Sequence, residues 1–120
     1  MPPRPVDVAP MTAADLKRRL DGGEPLVVLD VREEDERSLC AIPVPPGAVD
    51  LHIPMGQVPS RFEEIARAVS TGPLVVYCHL GMRSMVVARW LAAQGLAGVH
   101  NLERGIDAWA VDVDTGLTRY

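Results

Sequence analysis

The chain reads as an α/β domain, a parallel sheet with helices packed on both faces. Three observations predict this. The apolar runs Leu26-Val27-Val28-Leu29 and Leu74-Val75-Val76-Tyr77 lack the polar alternation of half-exposed strands and suit strands buried on both sides. Helical patterns lie between the strands, and that alternation implies parallel pairing through right-handed crossovers. The stretch from Gly72 to Gly95 reads as a strand, a short loop and then a helix over 83–94, with Gly95 placed to stop it. Ligands gather at the carboxyl ends of strands in such sheets, so Asp30 and Arg32 should share an edge with Cys78.

Taken in order, Val6-Asp7-Val8 fits a short edge strand after a proline-rich lead, and residues 1–9 are expected to be flexible. Thr12 caps a first helix, with Asp15 three residues on in a capping-box-like pattern and Leu16 and Leu20 on its inner face. Asp21-Gly22-Gly23 ends that helix. After the Leu26–Leu29 strand, Asp30-Val31-Arg32 leaves the sheet, and the charged run from Glu33 to Arg37 reads as a polar turn or short helix with a solvated face. The proline-rich segment 40–54 excludes a long helix, and Ala48-Val49-Asp50-Leu51 is the strand within it. Phe62, Ile65, Ala66 and Val69 recur at i, i+3, i+4 and i+7, a core-facing stripe on a helix that begins near Ser60. Val99-His100-Asn101 is a last short strand, and a helical turn over 106–110 closes a single domain spanning 10–120.

The 120 residues suit one domain, and 48% hydrophobic with 23% charged residues is ordinary for a globular chain. A formal net charge of -4 argues against general binding to nucleic acid or to an anionic membrane. No apolar run reaches the roughly 18 residues of a membrane span, and the N-terminus lacks the apolar core of a signal peptide. Two cysteines, Cys40 and Cys78, make no disulfide scaffold, and a reactive thiol suits the reducing cytoplasm.

The chemistry centres on Cys78. A free cysteine is often only a small buried hydrophobe. Here it stands where a strand ends and a helix begins, so loop N–H groups and the helix N-terminus can converge on its sulfur. Arg83 adds a cation and Ser84 a hydroxyl, the surroundings that favour a reactive thiolate. Gly81 lets the loop adopt positive φ and curl around a small anionic group. His79, Leu80 and Met82 complete the loop as pocket-lining, substrate-contacting residues. His79 is a poorer candidate for a base, because neighbouring loop residues point apart. Arg32 either contacts substrate or ties the strand end with a salt bridge. His52 and His100 lack the companions of a metal site, so no metal is expected.

Cys78-His79-Leu80-Gly81-Met82-Arg83-Ser84 resembles the active-site loop of rhodanese-type sulfurtransferases, Cys-x-x-Gly-x-Arg-Ser after a hydrophobic strand. Asp30-Val31-Arg32, Gly47-Ala48 ahead of Ile53-Pro54, and Asn101-Leu102 followed by Gly105-Ile106-Asp107-Ala108-Trp109 extend the likeness over nearly all of 10–110. The closing Val113-Asp114 and Arg119-Tyr120 resemble the tails of such domains, whether alone or fused behind sulfur-activating adenylyltransferases. There are two departures. Arg104 stands before Gly105 where the family often has a second glycine, and the segment 38–52 is longer than usual.

The resemblance implies a three-layer fold whose five-stranded sheet has the cysteine strand at its centre, with Trp109 near the site. It also implies sulfur transfer through a Cys78 persulfide, with no separate cofactor. The donor would be thiosulfate or a protein persulfide. The acceptor would be a thiol, cyanide or a sulfur-carrier protein. Catalysis would fall to Cys78, and substrate contacts to His79, Leu80, Gly81, Met82, Arg83, Ser84, Asp30 and Arg32. Cys40 could resolve an oxidised Cys78, though disulfide geometry is demanding. Two rivals remain. One is a non-catalytic binding module, which would have no need of the cysteine. The other is a cysteine-dependent phosphatase, whose loop carries five residues between Cys and Arg where this chain has four, His79 to Met82.

Overall fold

In a computed structural model the described residues are 8–120. Five parallel strands form one sheet in the order β1-β5-β4-β2-β3. They are β1 (Ala9–Met11), β2 (Val27–Asp30), β3 (Val49–His52), β4 (Leu74–Tyr77) and β5 (Val99–Leu102). The helices are α1 (Ala13–Asp21), α2 (Glu34–Leu39), α3 (Phe62–Ala68), α4 (Met82–Ala93) and α5 (Gly105–Asp112). The cysteine strand β4 is central, as the family resemblance implied.

Alternation along the strands divides the core in two. Val28, Val75 and Tyr77 face α1 and α5, where they meet Leu16, Leu20, Ile106 and Trp109. Val27, Leu29, Val76 and Cys78 face α3 and α4, where they meet Ile65, Val87 and Leu91. Every residue of β2 and β4 is buried; the apolar runs require this of their apolar residues, and Asp30 at the end of β2 is buried with them. Thr12 caps α1, its Oγ1 accepting from the Asp15 N–H at 3.1 Å. The edge strand differs from expectation. It is Ala9–Met11, one residue ahead of the expected domain start, while Val6 and Asp7 lie outside the described residues. Pairing with β5 selects this register, and Pro10 is tolerated because β1 is an edge.

The helix stripe on α3 is narrower than its sequence pattern, since only Ile65 is fully buried. Phe62 instead packs edge-on against Trp90 of α4, with centroids 5.8 Å apart.

Candidate active site

Cys78 follows β4 directly and is 1% exposed. The chain then turns through Gly81, whose φ of 101° is open to glycine at little cost, and enters α4 at Met82. This turn aims two backbone donors at the sulfur. Gly81 N–H donates to Sγ at 3.1 Å and Ser84 N–H at 3.4 Å. No side chain caps α4, and the sulfur takes that place at its positive end. The Ser84 hydroxyl lies 3.3 Å from Sγ and donates to Asn101 Oδ1 at 2.6 Å. Asn101 Nδ2 in turn donates to Gly81 O at 3.2 Å, which closes a ring of bonds from β5 back to the loop.

The outer side of the loop is pinned by α5. Ile106 N–H donates to Cys78 O at 3.0 Å and Asp107 N–H to His79 O at 3.2 Å. Gly105 makes this approach possible, because a Cβ there would lie 2.4 Å from Cys78 O and 2.5 Å from His79 O. Arg104, in the position where a second glycine is usual, adopts a left-handed φ of 56°. Its guanidinium pairs with Asp112 on the surface.

Cys78, His79, Leu80, Met82 and Arg83 line a pocket of about 270 Å³. Leu80 and Met82 form its exposed rim, at 56% and 80% exposure. Five of the expected loop residues therefore meet around one space. Gly81 and Ser84 support it from beneath through the sulfur.

Asp30 and Arg32 are a correction. Both are fully buried and neither reaches the pocket wall. Arg32 Nε and Nη2 grip the two Asp30 oxygens at 2.9 and 2.8 Å, and Nη2 also donates to Cys40 O at 2.7 Å. The alternative of a salt bridge tying the strand end together is the one the structure adopts. Trp109 is likewise displaced from the site. It lines a separate cleft with Leu20, Pro43 and Val44. Cys40 is a free thiol in the α1–α5 core, while Cys78 belongs to the opposite core.

Two residues near the site escaped the sequence reading. Glu36, placed above on a solvated face, binds Arg83 through both oxygens, with Nη1–Oε1 at 2.6 Å and Nη2–Oε2 at 2.9 Å. Tyr120 donates to Glu36 Oε2 at 2.7 Å, and its ring stacks on His79 with centroids 3.9 Å apart. The tail resemblance at Arg119-Tyr120 was the one signal for this contact.

The fold and site define an α/β domain whose focus is a single cysteine, cradled by backbone N–H groups at the end of the central strand. The model of the rhodanese-like domain matches residues 12–112. The chain belongs to that family. It is 34% identical over 104 residues to YtwF of Bacillus subtilis (strain 168), named as a candidate sulfurtransferase, covering 87% of this chain and 92% of that one. It is 37% identical over 93 residues to YrkF of the same organism, named as a candidate sulfur carrier protein, covering 78% of this chain and 46% of YrkF. A rhodanese-like domain protein of Staphylococcus aureus superposes with a TM-score of 0.69 at 27% identity, covering 94% of this chain and 99% of that one. Among the described residues no helix is long and apolar enough to cross a membrane.

Proposed function

We propose that the protein is a sulfurtransferase that carries sulfane sulfur as a persulfide on Cys78. The observation that carries this reading is the sulfur itself, held by the Gly81 and Ser84 N–H groups at the floor of an open pocket. Relatives named for sulfur transfer and sulfur carriage support it.

In the first step the Cys78 thiolate attacks the outer sulfur of thiosulfate or of a persulfide. A new S–S bond forms, the donor's S–S bond breaks, and sulfite or a thiolate leaves with the electron pair. In the second step an acceptor thiolate or cyanide attacks the outer sulfur, the bond from that sulfur to Cys78 Sγ breaks, and Cys78 leaves as thiolate with the electron pair. With an activated carboxylate on a sulfur-carrier protein the outer sulfur instead attacks the carbonyl and expels the activating group, and an added thiol then reduces the acyl disulfide to free Cys78. Covalent catalysis divides one hard transfer into two easier ones. The N–H groups around Sγ compensate negative charge there without having to reorganise. With four residues rather than five between Cys78 and Arg83, the loop suits a sulfur group better than a phosphate. A reducing, cytoplasmic setting fits this chemistry.

The test is intact mass after incubation with thiosulfate or with a persulfide. A gain of about one sulfur atom is expected, removable by reductant and absent from a folded Cys78→Ala variant. No gain with either donor would leave the domain as a binding module. Turnover of a phosphate ester alone would make it a phosphatase.

A further inference from the structure

Arg83, the cation of the loop, is already occupied. Its guanidinium meets the Glu36 carboxylate fork to fork, an arrangement both directional and strong. Glu36 is itself held in place. Tyr120 donates its hydroxyl to Oε2, and that hydroxyl accepts from Arg32 Nη1 at 3.1 Å, where Arg32 is fixed by buried Asp30. The Tyr120 ring is flat against His79, with planes 12° apart. The Glu36 backbone N–H is also engaged, donating to Asp35 Oδ1, and Glu36 Oε1 accepts from the Glu33 N–H at 3.1 Å in a capping box. The hydrogen bond from Arg83 first, and that from Tyr120 with it, hold the Glu36 carboxyl down at about 2, so it is charged throughout the physiological range. Its side chain is 16% exposed beside an arginine that is 37% exposed.

We propose that Glu36 selects the sulfur donor: by occupying Arg83 and setting a fixed negative charge beside the mouth of the Cys78 pocket, it turns the site away from small dianions such as thiosulfate and toward persulfides. This inference rests on the sulfur-transfer reading. A dianion entering the pocket finds its natural partner neutralised, and must either displace a carboxylate held by several bonds or lie next to it. Like charges brought together in a partly desolvated site repel. A persulfide differs in the placing of its charge. It carries at most one negative charge, confined to the sulfur that meets Cys78, and its uncharged remainder can rest on Leu80 and Met82 at the rim.

The step balances without an added oxidant. Cys78–S⁻ attacks the terminal sulfur of R–S–SH, the donor's S–S bond breaks, R–S⁻ departs with the electron pair, and Cys78–S–SH remains.

The experiment measures kcat/KM for thiosulfate and for 2-hydroxyethyl persulfide with one acceptor thiol, in the full chain and in Glu36→Gln and Glu36→Asp variants. The wild type is expected to favour the persulfide. Glu36→Gln should raise the thiosulfate-to-persulfide ratio by about tenfold or more, mainly through a lower KM for thiosulfate, and high salt should shrink the difference between variant and wild type. Glu36→Asp retains the charge and should keep the ratio near wild type. If Glu36→Gln fails to fold, Tyr120→Phe, which removes only the hydroxyl from the clamp, should move the ratio in the same direction. An unchanged or lower ratio in an active Glu36→Gln enzyme, or an equal rise in Glu36→Asp, overturns the proposal. Failure of every variant and the wild type to gain sulfur from either donor overturns the sulfur-transfer reading itself, and the donor selection falls with it.

Discussion

The Ser84 hydroxyl stands between Cys78 Sγ at 3.3 Å and Asn101 Oδ1 at 2.6 Å. It has one hydrogen and two claimants. Asn101 Nδ2 donates to Gly81 O, which orients the amide with its oxygen toward Ser84. While Ser84 donates to Asn101 it can only accept from a Cys78 thiol. When the sulfur is anionic the hydroxyl can rotate and donate to it, adding a third donor to the N–H groups of Gly81 and Ser84. The Ser84 hydroxyl is therefore the one donor in this set that can answer a change of charge on the sulfur.

Replacing Ser84 by Ala should lower kcat/KM for sulfur transfer by roughly ten- to a hundredfold, the range of one hydrogen bond to a charged group. The backbone donors stay, so the variant should remain folded and still gain sulfur in a mass measurement. Transfer at the wild-type rate would show that the hydroxyl serves only Asn101.

The Asp30–Arg32 pair should govern stability rather than donor affinity. Both side chains are fully buried, and Arg32→Met would strand the Asp30 carboxylate with Arg37 Nη1, at 3.3 Å, as its remaining side-chain cation. Breaking a buried pair from one side costs about 3–5 kcal/mol. The check is the shift of the denaturation midpoint in urea. The double variant Asp30→Asn with Arg32→Met, which strands no charge, should lose less than Arg32→Met alone. A loss under about 1 kcal/mol for Arg32→Met, the worth of a surface pair, would contradict the burial.

Acid should reach the Arg83–Glu36 link late. The Glu36 carboxyl titrates at about 2 in the folded protein against an ordinary value of 4.5. A carboxyl depressed on folding contributes stability in full above the ordinary value, and that contribution is lost as pH falls through the folded one. The link should hold at pH 4, where an unpaired glutamate is already largely protonated, and part near pH 2. The Glu36 carboxyl chemical shift reports this directly. Arg83→Gln should bring its midpoint back up toward 4.5, and a wild-type midpoint already there would sink the assignment.

Most of the scaffold was legible because it depends on local pattern. Leu74–Tyr77 forms the strand its unbroken apolar run predicts, and the Cys78 loop enters α4 one residue before the expected start. The edge strand that pairs with β5 is Ala9–Met11, whose residues do not alternate, so pairing rather than local pattern identifies it. Val6 and Asp7 of the alternating Val6-Asp7-Val8 lie outside the described residues. Arg104 departs from the two-glycine pattern and still takes the left-handed conformation a glycine would adopt. Glu36 was hidden for a different reason. It lies on α2, which buries no residue and so looks wholly solvated, but its partners Arg83 and Tyr120 are 47 and 84 positions away. No spacing rule within a helix reports a contact made across the fold. Asp30 and Arg32 were placed on the right edge of the sheet, but the depth at which they pair is a property of packing.

The cradle around Cys78 is assembled from main-chain N–H groups on its inner side, while Ile106 and Asp107 tether its carbonyls on the outer side. Its shape thus owes little to the side chains of Leu80 and Met82, which project into solvent from the same loop. On the sulfur-transfer reading, the chemistry of the cradle is therefore separable from whatever the rim contacts. The two rim positions are open to wide variation in size and polarity, so the same sulfur-handling machinery could be retargeted to new acceptors without being rebuilt.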